Sequence, residues 1–200
     1  AAICEKLGYE LEIVDMDFSA IVPAVTTGKA DFGMAGMTVT EDRLQSVDFS
    51  DSYATGIQSV IVAEDSDITS VDDLFAEGAN HKIGVQLGTT GDIYCSDDIQ
   101  AAGLGEVVPY ATGTDAVLAL TTGKVDAWVV DNEVAVALAA QQGLTVLDEA
   151  MTSEPYAFAF AKGSDELVSS FNASLKKLMD DGSIQEIFDK YGVLYVAPEA

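Results

Sequence analysis

The sequence predicts an α/β protein built of two similar units, each with a largely parallel sheet flanked by helices. Short apolar runs typical of buried strands alternate with helical segments along the chain, an order typical of such sheets. A second observation is an internal repeat, because Thr26-Thr27-Gly28-Lys29 recurs as Thr121-Thr122-Gly123-Lys124 with similar residues on both sides. Both copies follow a predicted helix and precede a predicted buried strand. Two copies are too few for a solenoid, but they fit two lobes of the same build.

The composition excludes several classes of partner. Of the 200 residues, 9 are Lys or Arg and 34 are Asp or Glu, which gives a formal net charge of -25. Nucleic acids and anionic membranes both favour a basic surface, so we expect neither as a partner. Hydrophobic residues make up 48% of the chain, which argues against a disordered acidic tail. No segment approaches the roughly 20 apolar residues of a membrane span, so we expect no insertion into a membrane.

The residue types that occur only once or twice limit which kinds of functional site the chain can form. The single histidine, His81, excludes zinc sites with several histidines, and Cys4 and Cys95 form no CxxC motif. We expect both cysteines to be free, buried or half-buried thiols, and we expect neither a metal nor an organic cofactor. The single arginine, Arg43, is a planar cation in a very acidic chain. It is a good lead to a site that recognises an anion.

The predicted elements of the first part follow from periodicity and capping residues. Residues 1–8 have the pattern of the last turns of a helix that ends at Gly8. Apolar and acidic residues alternate over 9–14, which predicts a strand there. The next elements are a helix over 18–25, a buried strand over 30–35, and strand segments within 47–63 that are interrupted at 51–53. Before Arg43, either Thr40 alone or Thr38 with Glu41 can cap a helical turn.

The remaining elements alternate more regularly. A short helix begins at residue 71 with Ser70 as its cap, and a second helix follows the turn Gly88-Thr89-Thr90-Gly91. The other helices are predicted over 114–120, 134–140, 164–179 and 183–191, and the strands over 82–87, 107–110, 125–130, 144–147 and 157–161.

Polar groups are predicted at the carboxyl ends of strands in both halves. Extending the repeat beyond its turns places Gly36 opposite Asp131, and Gly88-Thr89-Thr90 follows a neighbouring strand. Open α/β sheets bind their ligands at this edge. Together with Arg43, this constellation offers a cation, an anion, and several hydroxyl or amide donors. A zwitterion is its natural complement.

Six segments carry a resemblance to a known family; they are 17–24, 35–43, 47–53, 84–91, 125–131 and 181–188. In these segments and in their order the chain resembles the extracytoplasmic amino-acid-binding proteins of bacterial ABC transporters, the polar amino acid (family 3) solute-binding proteins. The resemblance implies a two-lobed periplasmic-binding-protein fold of type II, in which two crossover strands join mainly parallel sheets flanked by helices. The expected lobes are 1–57 with 154–200, and 58–153. Members of the family begin with a strand before the first helix, and we expect that strand to be missing from this chain.

The resemblance also implies roles for individual residues. Arg43 would clamp the ligand α-carboxylate with help from Thr38 and the backbone at Gly36, and Thr90 would reach the same carboxylate from the second lobe. Asp131 would hold the α-ammonium. Phe18 would form a wall of the side-chain pocket, and Gln86 lines up near it. The full set of expected ligand-binding residues is Phe18, Gly36, Met37, Thr38, Arg43, Gln86, Thr90 and Asp131.

Each of these residues also has a purely structural interpretation. Arg43 could pair with Glu41 or Asp42 on the surface, and Asp131 could cap the helix that follows it. Phe18 could belong to the core, Thr38 and Thr90 could be caps only, and Gln86 could be solvated. Outside the site, we expect Trp128 in the core and Glu154 in solvent.

The function implied by the resemblance is capture of a free L-amino acid outside the cytoplasmic membrane and its delivery to an ABC permease, with the two lobes closing about a hinge. We expect a monomer in the periplasm or anchored by a lipid at the cell surface, with its signal sequence outside this chain. One alternative is the ligand-sensing domain of a receptor or histidine kinase. A second is a dehydratase acting on prephenate or arogenate, which would need a general acid in the cleft.

Overall fold

The computed structural model describes residues 1–198, which divide into two compact units. The first unit combines Ala1–Gly56 with the chain from Glu154 onward, and the second unit is Ile57–Ser153. The chain therefore passes from one unit to the other twice. Each unit contains a sheet with helices, and the α/β class predicted from the sequence is confirmed.

Helices and strands alternate along most of the chain. The first elements are α1 (Ala2–Leu7), α2 (Phe18–Thr26), β1 (Phe32–Gly33), α3 (Glu41–Ser46), β2 (Val47–Phe49), β3 (Ala54–Ala63), a 3₁₀ helix (Val71–Phe75) and β4 (His81–Gln86). The next are α4 (Thr90–Tyr94), which continues into a π-helical segment (Cys95–Gln100), β5 (Gly105–Tyr110), α5 (Gly113–Thr121), β6 (Ala127–Asp131) and α6 (Asn132–Gln142). The last are β7 (Leu144–Val146), β8 (Thr152–Tyr156), β9 (Ala159–Ala161), α7 (Asp165–Asp180) and α8 (Ser183–Tyr191).

The strand pairing is more mixed than the expected mainly parallel sheets. In the first unit, β9 lies between β1 and β2 and runs antiparallel to both. The other sheet has the order β5-β4-β6-β3-β7, with β8 also paired to β3. Within it, β4 is parallel to β5 and β6, whereas β3 is antiparallel to β6 and β7.

This correction has its reason in the connections between strands. Strands joined through helices, such as β4, β5 and β6, point the same way because the helix carries the chain back to the starting edge. By contrast, β3 and β9 each follow another strand through a short connection without a helix, at residues 50–53 and 157–158. The preceding strands, β2 and β8, pair in the other sheet, so β3 and β9 each enter a sheet from outside it rather than through a helical crossover within it.

Alternating side chains along the strands place an apolar core on both faces of the second unit's sheet. Val60 and Val62 of β3 pack in one cluster, and Ile61 packs in the other together with Trp128. Trp128 is fully buried, which confirms the core position expected for it. In the first unit, Phe160 faces a cluster different from that of its neighbour Ala159. Burial on both faces explains why these strands are apolar at successive positions.

The internal repeat forms the same turn in both units. Thr27 and Thr122 each donate a side-chain hydrogen bond to the carbonyl four residues earlier, at 2.7 Å in both copies. The glycines that follow, Gly28 and Gly123, have φ angles of 71° and 69°. Glycine adopts this left-handed conformation without a steric penalty, so each copy ends its helix in the same way.

Two segments differ from the predicted elements. No strand forms over 9–14, where the described residues make no ladder pairing and Ile13 is 83% exposed. An alternating pattern gives a strand only when a neighbouring strand takes its backbone hydrogen bonds. Conversely, β8 is a polar segment that contains Pro155 and that periodicity did not predict; it lies at the boundary of 153 and 154 where the resemblance implied a crossover strand. Within residues 1–198, no helix has both the length and the apolar character needed to cross a bilayer.

We expect the Cys95 thiol to resist alkylation while the protein is folded. The side chain is fully buried, and burial, together with the nearby negative charges of Asp92 and Asp98, raises its pKa to about 12. Because the thiolate is the reactive form, alkylation at about pH 8 should be on the order of a thousandfold slower than in urea-unfolded protein. Mass spectrometry after iodoacetamide treatment of a Cys4→Ser variant measures both rates, and equal rates would contradict the assignment.

The same shift has a consequence for stability. The pKa of Cys95 is higher in the folded protein than the ordinary value of 9.0. This group therefore stabilises the fold fully below the ordinary value, and the contribution is lost as the pH rises toward about 12.

A methyl group at position 56 is expected to destabilise the first unit. A Cβ on Gly56 would lie 1.9 Å from Cζ of Tyr156, far inside van der Waals contact. Gly56→Ala should therefore lower the free energy of unfolding by about 1–3 kcal/mol, the usual range for overpacking. Urea denaturation followed by circular dichroism measures the change. In a Tyr156→Ala background the same substitution should cost much less, and an unchanged cost would show that the ring is not the obstacle.

Candidate functional site

Contacts within the first unit fix both the backbone and the guanidinium of Arg43. Its backbone amide donates to Thr40 Oγ1 at 3.2 Å, which makes Thr40 the N-cap of α3. Its Nη1 donates to the Thr38 carbonyl at 2.8 Å, and its guanidinium carbon lies 5.3 Å from the ring centroid of Phe18. The side chain is only 9% exposed. A buried guanidinium fixed in this way is suited to recognising an anion.

Thr38 has a different role from the capping box considered as an alternative to Thr40. Its hydroxyl donates to the carboxylate of Glu154 at 2.5 Å rather than capping α3. Both residues are buried, with 3% of Thr38 and 1% of Glu154 exposed. The expectation that Glu154 is solvated is therefore wrong. The sequence offers little signal for this pair, because 116 residues separate its members.

Gly36 and Met37 lie just before Thr38 in the loop of the first unit that leads to α3. Gly36 has a φ of 58°, a left-handed conformation that favours glycine. The Met37 side chain is fully buried in a cluster with Val25 and Val47, and its carbonyl accepts from the Ala157 amide at 3.0 Å. Any ligand contact by Met37 is therefore confined to its backbone.

Asp131 is placed by the sheet of the second unit. It is the last residue of β6, and the antiparallel register sets it directly opposite Gln58 of β3. The Gln58 side-chain amide donates to Asp131 Oδ1. Although Asp131 occupies the N-cap position of α6, its side chain makes no capping hydrogen bond. The alternative interpretation of this carboxylate as a helix cap is thus not what the geometry shows.

Thr90 and Gln86 lie on either side of the turn between β4 and α4. Thr89 is the N-cap of α4, accepting from the Asp92 amide at 3.3 Å, and Thr90 is 4% exposed. The Gly88 amide already donates to the Asp92 carboxylate at 2.9 Å, so this amide of the turn is occupied by a group of the protein itself. Gln86 is half-buried and its Nε2 lies 3.4 Å from the Ala111 carbonyl.

The first unit thus brings together Phe18, Thr38 and Arg43, and the second brings Asp131 together with a residue that the sequence analysis missed. That residue is Gln58, which is 1% exposed. Its only signal in the sequence is an amide within the apolar run of β3, and the register that pairs it with Asp131 is not visible in the sequence.

Two α/β units joined by two passages of the chain, with polar side chains at the ends of strands, are the architecture of extracellular solute-binding proteins. The chain belongs to family 3 of the bacterial extracellular solute-binding proteins, whose sequence model matches residues 1–193. This finding confirms the resemblance carried by the six sequence segments.

Individual relatives have names that indicate their ligands. The chain is 31% identical over 199 residues to the L-arginine-binding protein of Pseudomonas aeruginosa, an alignment covering 95% of this chain and 75% of that protein. It is 34% identical over 171 residues to the ABC transporter glutamine-binding protein GlnH of Bacillus subtilis, covering 85% and 60% of the two chains. A solved structure of an ancestral arginine-binding protein bound to arginine matches with a TM-score of 0.87 and 38% identity, covering 94% of this chain and 83% of that one.

Removing the hydroxyl of Thr38 is expected to destabilise the first unit. Thr38→Val keeps the shape of the side chain but takes a buried donor away from the Glu154 carboxylate. The free energy of unfolding should fall by about 1–3 kcal/mol, the usual cost of such a loss. Thr38→Ser keeps the hydroxyl and should cost less. Urea denaturation of both variants tests this, and a valine variant more stable than the serine variant would contradict it.

Proposed function

We propose that this protein binds a free L-amino acid outside the cytoplasmic membrane and delivers it to an ABC permease. Membership of the solute-binding family and the named ligands of its relatives support this proposal. The observation that carries it is the fixed Arg43 guanidinium in one unit and the oriented Asp131 carboxylate in the other. An amino acid carries the two complementary charges, and both need partners when they lose water.

In this proposal Arg43 binds the α-carboxylate of the ligand. Paired N–H groups of a guanidinium match the two oxygens of a carboxylate, and the Thr38 carbonyl holds the group in position. The backbone of Gly36 and Met37 and the residue Thr90 complete the carboxylate contacts.

The hydrogen bonding of Thr38 sharpens its own role. The Thr38 hydroxyl donates its proton to Glu154, so its oxygen is left as an acceptor. An acceptor suits the ligand ammonium better than the ligand carboxylate. We therefore propose that Thr38 assists Arg43 through its backbone carbonyl, with its hydroxyl oxygen available to accept a hydrogen bond from the ligand.

The side chain of the ligand is assigned to Phe18 and Gln86. Phe18 already stacks against Arg43, and Gln86 is half-buried at the end of β4. Arginine and glutamine are the first ligands to test, because these are the ligands named for the relatives. The net charge of -25 favours the approach of a cationic amino acid, although a long-range field does not select a side chain.

Three further features belong to the proposal. The protein works as a monomer, it acts in the periplasm or anchored at the cell surface, and it releases its ligand chemically unchanged. The named relatives are binding proteins, which supports the last point.

The decisive experiment is calorimetric titration with a panel of L-amino acids that includes arginine and glutamine. At least one should bind, and Arg43→Ala should weaken its binding about 100-fold or more, since a paired charged contact is lost. The affinity of Arg43→Lys should lie between those of the unmodified protein and Arg43→Ala, because lysine keeps the charge but not the planar, two-pronged donor group. Mass spectrometry of the recovered ligand should show no chemical change.

Lys176→Ala provides the control for these titrations, because Lys176 is exposed and pairs with Asp180 on α7. This variant should bind as the unmodified protein does. No binding of any amino acid, or equal binding by Arg43→Ala, would contradict the proposed function.

A further inference from the structure

Gln58 and Asp131 form a cross-strand pair in the interior of the second unit. Directly opposed residues of antiparallel strands place their side chains on the same face of the sheet. Gln58 is 1% exposed, and its Nε2 donates to Asp131 Oδ1. The chemistry fixes the orientation of the amide, because a carboxylate accepts hydrogen bonds and only the nitrogen end of the Gln58 amide can donate one.

The other end of the same amide has no hydrogen-bond partner. Among residues 1–198, Gln58 Oε1 is a buried side-chain oxygen that accepts no hydrogen bond. It lies against Gly91, where a Cβ would come within 2.9 Å of the oxygen. Any side chain larger than hydrogen at position 91 would therefore have to displace the amide.

The unpaired oxygen of this amide does not serve stability. Nearly all buried polar groups in proteins have partners, and leaving one without a partner destabilises the fold. An apolar residue of similar length at position 58 would fill the same space without a buried unpaired oxygen. Further along β3, beyond Ser59, the residues Val60, Ile61 and Val62 are apolar and fully buried or nearly so. The amide is therefore explained by what its nitrogen does for Asp131.

We infer that Gln58 is a positioning residue, which holds the Asp131 carboxylate in the orientation that receives the ammonium group of the ligand. This inference rests on the proposed function and adds to it a residue that never needs to touch the ligand. With the Gln58 hydrogen bond on Oδ1, the torsion of the Asp131 side chain is restricted before the ligand arrives. A restricted acceptor loses less conformational freedom on binding, and this increases affinity.

The inference predicts that loss of the Gln58 amide weakens ligand binding without lowering stability, and Gln58→Met tests this. Methionine is close in length and removes both the donor and the unpaired oxygen. We expect the dissociation constant for L-arginine, or for L-glutamine if arginine does not bind, to rise about tenfold or more. The melting temperature should stay unchanged or rise. Gln141→Met is the matched control, because Gln141 is exposed on α6 and bonds only to the Ala137 carbonyl among the described contacts; it should change neither quantity.

A desamino analogue of the bound amino acid locates the effect. This analogue lacks the ammonium group, so its affinity should be nearly the same for the unmodified protein and for Gln58→Met. An equal loss of affinity for the amino acid and the analogue would place the effect elsewhere in the site and overturn the inference.

A charge-changing variant gives a pH signature that a role in folding would not produce. In Gln58→Glu, two carboxylates face each other near neutral pH and repel, and protonating one of them restores a donor. The affinity of this variant should rise as the pH falls from about 7 to about 5, whereas the unmodified protein should show no such rise.

The outcomes are distinguishable. If the unmodified protein binds no amino acid, the proposed function fails. If it binds and Gln58→Met binds equally well, the inference fails while the proposed function stands. A Gln58→Met variant that loses several degrees of melting temperature together with its affinity would assign Gln58 to stability instead.

Discussion

A buried polar side chain needs a hydrogen-bond partner, and this constraint shapes the candidate site in both units. The Arg43 guanidinium is oriented by the Thr38 carbonyl, the Thr38 hydroxyl by Glu154, and the Asp131 carboxylate by Gln58. Each of these partners comes from the same unit as the residue that it orients. The charges are thereby arranged within each unit before any ligand is present, which lowers the reorganisation required on binding.

The repeated turn gives the two units a common local construction. A threonine hydroxyl bonds to the carbonyl four residues earlier, a left-handed glycine ends the helix, and a strand region follows, with nearly the same geometry in both copies. What differs is the chemistry at the end of each following segment. The first unit continues to Gly36 and the loop before Arg43, whereas the second ends β6 at Asp131. Similar scaffolds thus present groups of opposite charge.

Local features of the fold were predictable because they depend on neighbouring residues. The Thr40 cap, the free buried cysteines, the core position of Trp128 and the order of most helices and strands follow from spacing and side-chain type. The direction of β3 and β9, the pairing of Gln58 with Asp131 and the burial of Glu154 depend on segments distant in the sequence. A single sequence carries no register, so periodicity could place these residues on elements but could not pair them. The pattern over 9–14 failed for the same reason, since a strand depends on its neighbour.

The central position of β9 in the first sheet has a consequence for how the chain folds. Phe160 of β9 pairs with Phe32 of β1, so this sheet cannot form until the chain between these two residues has closed into a loop. These two residues are about 130 positions apart, and closing an open loop of that length costs about 4 kcal/mol of chain entropy. The second unit is one continuous segment within this loop, and its own folding brings its two ends close together, with the Met151 amide bonded to the Gln58 carbonyl at 2.8 Å. Most of the loop is then already closed. Folding of the second unit therefore lowers the entropy cost of forming the first sheet. This favours a folding order in which the middle of the chain folds first and the two ends assemble afterwards.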